Sequence, residues 1–192
     1  MARRQGRGFE DLVSDILDKK GYYDLHLDQK LKGRTGTIHE IDVIGNKKAA
    51  GGLSKSWILV QCRDLDQNIP KGMISEFADV ARDIAEERES AAFVTNEALF
   101  ATTAFLPDAA SRTLEKRASE LRELNVRLYS WDRLDILREA LLTGVHGLIF
   151  DRARLSIVGT RNRRGSAVFV SRKALEDANV DPEKVFRKYR SR

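Results

Sequence analysis

The chain is poor in cysteine, proline and aromatic residues, with one cysteine, three prolines and 7% aromatic side chains among 192 residues. Each shortage excludes a class of protein. A lone Cys62 makes neither an intramolecular disulfide nor a multi-cysteine zinc site. Three prolines and thirteen glycines are too few for a collagenous or proline-rich extended chain. No apolar run approaches the roughly eighteen residues that a membrane span needs, so no membrane partner is expected. The segment Met1 to Gly8 is basic and polar with no apolar stretch behind it. No secretory leader is read there, and the cytoplasm is the expected compartment. What remains, 42% hydrophobic and 33% charged residues, is the composition of a folded domain with a small appendage.

The net charge of +5 is unevenly placed. Residues 151–192 hold twelve Lys or Arg against five Asp or Glu, a balance of +7, and the preceding 150 residues balance at −2. The whole excess lies in the tail, where it raises the local concentration of polyanions. The chain therefore divides into a body over 1–150 and a basic module over 151–192.

Hydrophobic spacing organises the body. Phe9, Leu12, Val13, Ile16 and Leu17 form one face of a helix that Gly21 stops. Tyr22 to Leu31, Thr37 to Gly45 and Lys55 to Arg63 read as three strands, with Gly51-Gly52 as the turn between the last two. Pro70 suits the first turn of a second helix whose stripe is Ile74, Phe77, Ala78, Ala81, Ile84 and Ala85. Ala91 to Thr95 reads as a strand and Ala98 to Leu124 as a helical stretch broken near Pro107. Val126 to Tyr129 reads as a last strand, and Asp132 to Leu142 as a further helix. This order predicts an α/β fold, a mixed sheet flanked by helices. In the tail, Leu155 to Val158 and Ala167 to Val170 read as a hairpin across a Gly159 to Gly165 turn. A helix over 172–178 and a second one after Asp181-Pro182 follow, giving a small α+β module.

In the second strand, period-two alternation puts His39, Ile41 and Val43 on one face and Glu40, Asp42 and Ile44 on the other. Two carboxylates on one face would lie about 6.6 Å apart between Cα atoms. The third strand is apolar through Val60 and then presents Gln61 and Arg63, a buried course ending at a polar site. Glu10 sits on the row of Val13 and Leu17, where a carboxylate is expensive unless it meets a cation, a metal or water. Taken singly, each has an ordinary reading. Glu10 could be a surface helix residue, Glu40 and Asp42 a solvated strand face, and Gln61 and Arg63 strand-end polar residues. His39 points away from the carboxylates and reads as structural, and Cys62 as a small buried hydrophobe.

Glu10, then Glu40-Ile41-Asp42, then Gln61-Cys62-Arg63 on an αβββαβ framework resembles the PD-(D/E)xK nuclease superfamily. Within it, the pattern is similar to the Mrr-type restriction endonucleases and the archaeal Holliday-junction resolvases. The resemblance covers roughly residues 6–136, with Phe93-Val94-Thr95-Asn96 and Leu128-Tyr129-Ser130-Trp131 resembling the later strands. It implies a restriction-endonuclease-like core and a metal-dependent DNA endonuclease. Asp42 would be the principal ligand of Mg²⁺ or Mn²⁺, Glu10 a direct or water-mediated one, and Glu40 and Gln61 further candidates. Glutamine at the third acidic position also resembles Mrr-type members. The superfamily's lysine is replaced by Arg63, which stays protonated and is no base, yet can clamp a phosphate. Slow cutting and DNA binding without cutting both stay open.

The tail supplies the expected grip on DNA. Arg161, Arg163 and Arg164 mark a hairpin tip with Arg172 and Lys173 beyond it, and Arg3, Arg4 and Arg7 add charge at the amino terminus. Leu155 to Val180 faintly resembles the swapped hairpin of AbrB-type DNA-binding domains. Cutting two strands requires two sites, so a homodimer is expected.

Overall fold

The structure, a computed structural model, describes residues 3–48, 55–65, 69–88, 96–143, 145, 157–161 and 167–171. It divides into two units, Met1–Ile136 and Leu137–Arg192. The first contains α1 (Arg3–Lys19), β1 (Tyr23–Lys32), β2 (Ile38–Lys48), β3 (Lys55–Arg63), α2 (Lys71–Glu87), β4 (Asn96–Thr102), α3 (Asp108–Arg122) and β5 (Val126–Trp131), and α4 (Arg133–Thr143) runs from its end into the second. The five strands form one sheet in the order β1-β2-β3-β4-β5. β1, β2 and β3 are antiparallel, while β3, β4 and β5 are parallel. The expected mixed sheet with flanking helices is the fold observed.

Helix α1 buries all five residues of its predicted stripe and starts at Arg3, six residues ahead of it. An apolar stripe marks only the stretch of a helix that touches the core. Gly21, at φ +87°, turns the chain out of the helix in a conformation that glycine adopts without strain. Ile58, Leu59 and Val60 of β3 are fully buried, as expected of a strand covered on both faces. On one face, Ile74, Phe77 and Ala81 of α2 and Leu121 of α3 pack with Phe100 and Leu128. The segment that follows α1 reaches the opposite face of β4 and β5. There Tyr22 donates to Glu97 Oε1 and Tyr129 to Glu97 Oε2, both at 2.8 Å, and the Lys20 ammonium stands 5.6 Å from the Trp131 ring centre.

The expected helical stretch from Ala98 is corrected. Residues 96–102 are strand β4, and the helix begins only at Asp108, after Pro107. Ala98-Leu99-Phe100-Ala101 is buried on both faces in a parallel strand, so it lacks the alternation that would betray a strand, and its composition favours helix. The expected strand over 91–95 and the Gly51-Gly52 turn lie outside the described residues.

In the second unit, β6 (Ile157–Arg161) pairs antiparallel with β7 (Ala167–Ser171). The hairpin expected in the tail is there, but Gly159 belongs to β6, level with Phe169, and not to the turn. Ladder pairing through Thr160 and Arg161 lengthens the first strand past the glycine. The helices expected over 172–178 and after Pro182 lie outside the described residues.

Candidate active site

The third strand delivers its polar residues where the sheet changes from antiparallel to parallel. β2 pairs with β3 from Lys48 and Lys55 up to Val43 and Val60, and beyond that level the Asp42 side chain replaces the ladder. Its Oδ2 accepts the backbone N–H of Cys62 at 2.6 Å and the amide Nε2–H of Gln61, and Arg63 Nη1 stands 3.4 Å away. Arg63 Nη1 also donates to the Cys62 carbonyl at 3.0 Å, so the guanidinium is folded back over its own strand. Burial pushes the Asp42 carboxyl above the ordinary carboxylate value, against the opposing pull of the Cys62 N–H, the Arg63 charge and Gln61. Three donors, one of them a cation, therefore do not fully repay the loss of water around this carboxylate.

Strict alternation fails around Asp42. Ile41 and Ile44, three residues apart, belong to one cluster with Leu59 and Ile84 of α2, although an ideal strand would turn them to opposite faces. β1 is kinked at the same level: Asp28 has φ +53°, a region that aspartate tolerates better than most residues, while the register holds, with Leu27 paired with Val43 and Gln29 with Ile41, and shifts only between Tyr23 and His26. Asp28 adds a nearby negative charge that also raises Asp42. Nothing in the alternation of the sequence marks Asp28.

The other expected residues separate into two groups. Glu10 lies half-buried on α1, and its charge, with that of Asp42, contributes to raising the buried Cys62 thiol. Gln61 is buried. Glu10, Asp42, Gln61 and Arg63 thus belong to one neighbourhood. Glu40 does not join it: its side chain is exposed and pairs with Lys30 at 3.3 Å. Among the described residues, no three His, Cys, Asp or Glu are gathered as a metal-binding group. Arg3, Arg4 and Arg7 lie in α1 and Arg161 ends β6; Arg163, Arg164, Arg172 and Lys173 lie outside the described residues.

His39 is structural in a way that the sequence does not announce. Its Nε2 lies 2.7 Å from Asp83 Oδ2 of α2, and Asp83 also accepts the Thr35 N–H and hydroxyl at 2.9 Å each. The His39 contact and the Thr35 N–H hold the Asp83 carboxyl below its ordinary value. This cluster ties the β1–β2 turn to α2, three residues before Asp42.

Residues 1–134 match the sequence profile of the Mrr catalytic domain, described as restriction endonuclease. The chain belongs to this restriction endonuclease family. No curated protein matches the chain. The Mrr-type match spans α1 through β5 and so contains Glu10, Asp42, Gln61 and Arg63 together. It stops short of the hairpin of the second unit, which lies outside the Mrr-type domain. Among the described residues no helix is long and apolar enough to cross a membrane.

Proposed function

We propose that this member of a nuclease family hydrolyses phosphodiester bonds of DNA with a divalent cation, Mg²⁺ or Mn²⁺, at Asp42. The observation that carries the reading is the Asp42 carboxylate, drawn out of water where β2 and β3 separate and carrying a charge its own surroundings undercompensate. Mg²⁺ binds through one or two carboxylates and otherwise takes water and substrate phosphate oxygens. Asp42 and Glu10, with the Gln61 amide oxygen, fit that demand. A cation held there would supply charge to neutralise the phosphoryl oxygens and to acidify the attacking water.

The chain's own residues have separate tasks. Gln61 and the Cys62 N–H fix the Asp42 carboxylate through Oδ2, which leaves Oδ1 as the oxygen for a cation. Arg63, partly exposed, holds a phosphate oxygen and stabilises the charge that develops in the transition state, without acting as a base. The basic module over 151–192 and the amino-terminal arginines contact phosphates and position the duplex without reading its sequence. A homodimer places one site on each strand. One observation favours a second reading, DNA binding without cleavage: Arg63 already pairs with Asp42 and supplies part of the positive charge a metal would bring.

Duplex, nicked and four-way-junction DNA incubated with and without Mg²⁺ or Mn²⁺ tests both. Metal-dependent cleavage by the wild type, abolished in Asp42→Ala, is expected. Metal-independent cleavage, or cleavage that survives Asp42→Ala, overturns the site. Binding without cleavage in the wild type, with activity gained in Arg63→Lys, favours the second reading.

A further inference from the structure

β3 and β4 end side by side, with Arg63 level with Thr102. The chain then leaves β4 through Thr103, Ala104 and Phe105. Thr103 N–H donates to the Arg63 carbonyl at 3.2 Å, and Thr103 Oγ1 donates to Asp64 Oδ1 at 3.0 Å, so this exit is fastened to the strand that carries the candidate site. Phe105 follows two residues later and is 50% exposed, one of few large apolar side chains in the described residues that are. From the other side, Arg133 N–H donates to the Ala104 carbonyl at 3.1 Å, and the Arg133 guanidinium lies 5.3 Å from the Phe105 ring centre. Leu134, next in sequence, is 58% exposed.

An aromatic ring held open beside a guanidinium has two chemical uses at once. The ring offers a face for stacking, and the cation suits a phosphate or the π-system of a base. Two exposed apolar side chains amid charged neighbours make too small a patch for a protein interface, whereas one nucleotide needs no more. Phe105 stands two residues beyond the Thr103–Arg63 hydrogen bond, a tether of at most about 7 Å.

We propose that Phe105 and Arg133 form a stacking platform for a nucleobase displaced from the duplex next to the phosphate held at Asp42 and Arg63. The inference rests on the nuclease reading for its neighbouring phosphate. It assigns the protein a preference for DNA with an unstacked base near the cut, as at a gap or a branch, over continuous duplex.

The test is the affinity of the full chain, in the absence of divalent metal, for continuous duplex and for duplex with a short gap containing 2-aminopurine. The wild type is expected to favour the gapped DNA by about tenfold, the scale of one base stacked on an aromatic ring, and to quench the 2-aminopurine. Phe105→Ala is expected to lose both effects while keeping its duplex affinity and melting temperature, and Phe105→Trp to retain both. Equal affinities in the wild type, or a preference and quench unchanged in Phe105→Ala, overturn the platform. Cleavage with Mg²⁺ or Mn²⁺ is scored in parallel. Phe105-dependent stacking without cleavage under any metal removes the nuclease reading and leaves the platform, whereas cleavage without Phe105 dependence does the reverse.

Discussion

Asp42 carries a charge that its surroundings do not fully repay. Its folded-state carboxyl titrates above the ordinary value because burial outweighs its hydrogen bonds. A carboxyl raised on folding binds its proton more tightly in the folded state, so the fold gains stability as pH falls through the window between the raised value and the ordinary one near 3.9. At neutral pH the charge costs stability. Asp42→Asn, which keeps an acceptor for Gln61 and the Cys62 N–H, is therefore expected to melt no lower than the wild type at pH 7, with the difference shrinking as pH is lowered towards 4. Mg²⁺ or Mn²⁺ should raise the melting temperature of the wild type and leave that of Asp42→Asn unmoved. A variant that melts well below the wild type at pH 7 would contradict this account. The sequence made Asp42, Gln61 and Arg63 legible because a buried strand that turns polar at its end is conspicuous. It misplaced Glu40, which stands exposed beside Lys30, and passed over Asp28, whose positive φ no alternation records.

At the scale of elements, the junction of the β1–β2 turn with α2 holds β2 in place. Asp83 is the hub, and its carboxyl is held low by the His39 contact and the Thr35 N–H. A group lowered on folding stabilises above its unfolded value near 3.9 and loses that contribution as pH falls through the folded value below it. Asp83→Asn is expected to speed hydrogen exchange of the Thr35 amide, which donates to Asp83 Oδ1 at 2.9 Å, at pH 6. In the wild type the same loosening is confined to the acid side of the carboxylate range. Gly33 belongs to this clamp, since a Cβ there would come within 1.9 Å of Asp83 Oδ2. Gly33→Ala must displace Asp83 and should mimic Asp83→Asn in the same exchange measurement. Periodicity revealed α1, α2, β1 and β2 because each has a wet side, and β3 showed itself as an apolar run between polar ends. β4 has no wet side, so its residues carried no period-two signal, and its place became plain only once β3 and β5 flanked it. The clamp was invisible because Asp83 and His39 are 44 residues apart and neither belongs to a motif.

Charge is organised at the scale of the whole chain. The segment matched by the restriction endonuclease family holds the carboxylates, while the basic excess lies beyond it. If the tail grips DNA, replacing Arg161, Arg163 and Arg164 together with glutamine should weaken binding to all sequences alike. It should also flatten the dependence of log affinity on log salt by about one unit for each phosphate that is no longer neutralised. Unchanged slopes in a filter-binding or anisotropy titration would assign the grip elsewhere. Cleavage at saturating DNA, if the proposed site cuts, should be untouched, because these arginines lie outside the Mrr-type segment that holds Asp42.

Glu97 holds two phenols, one from the segment that follows α1 and one from β5, and burial pushes the ionisation of both well above the usual tyrosine range. Tyrosinate absorbs near 295 nm and tyrosine does not, so a jump to about pH 11 is expected to leave Tyr22 and Tyr129 dark for as long as both stay bonded to Glu97. The slow growth of absorbance after the jump then reports the rate at which the segment after α1 parts from β4 and β5, a clock built into the chain without a dye.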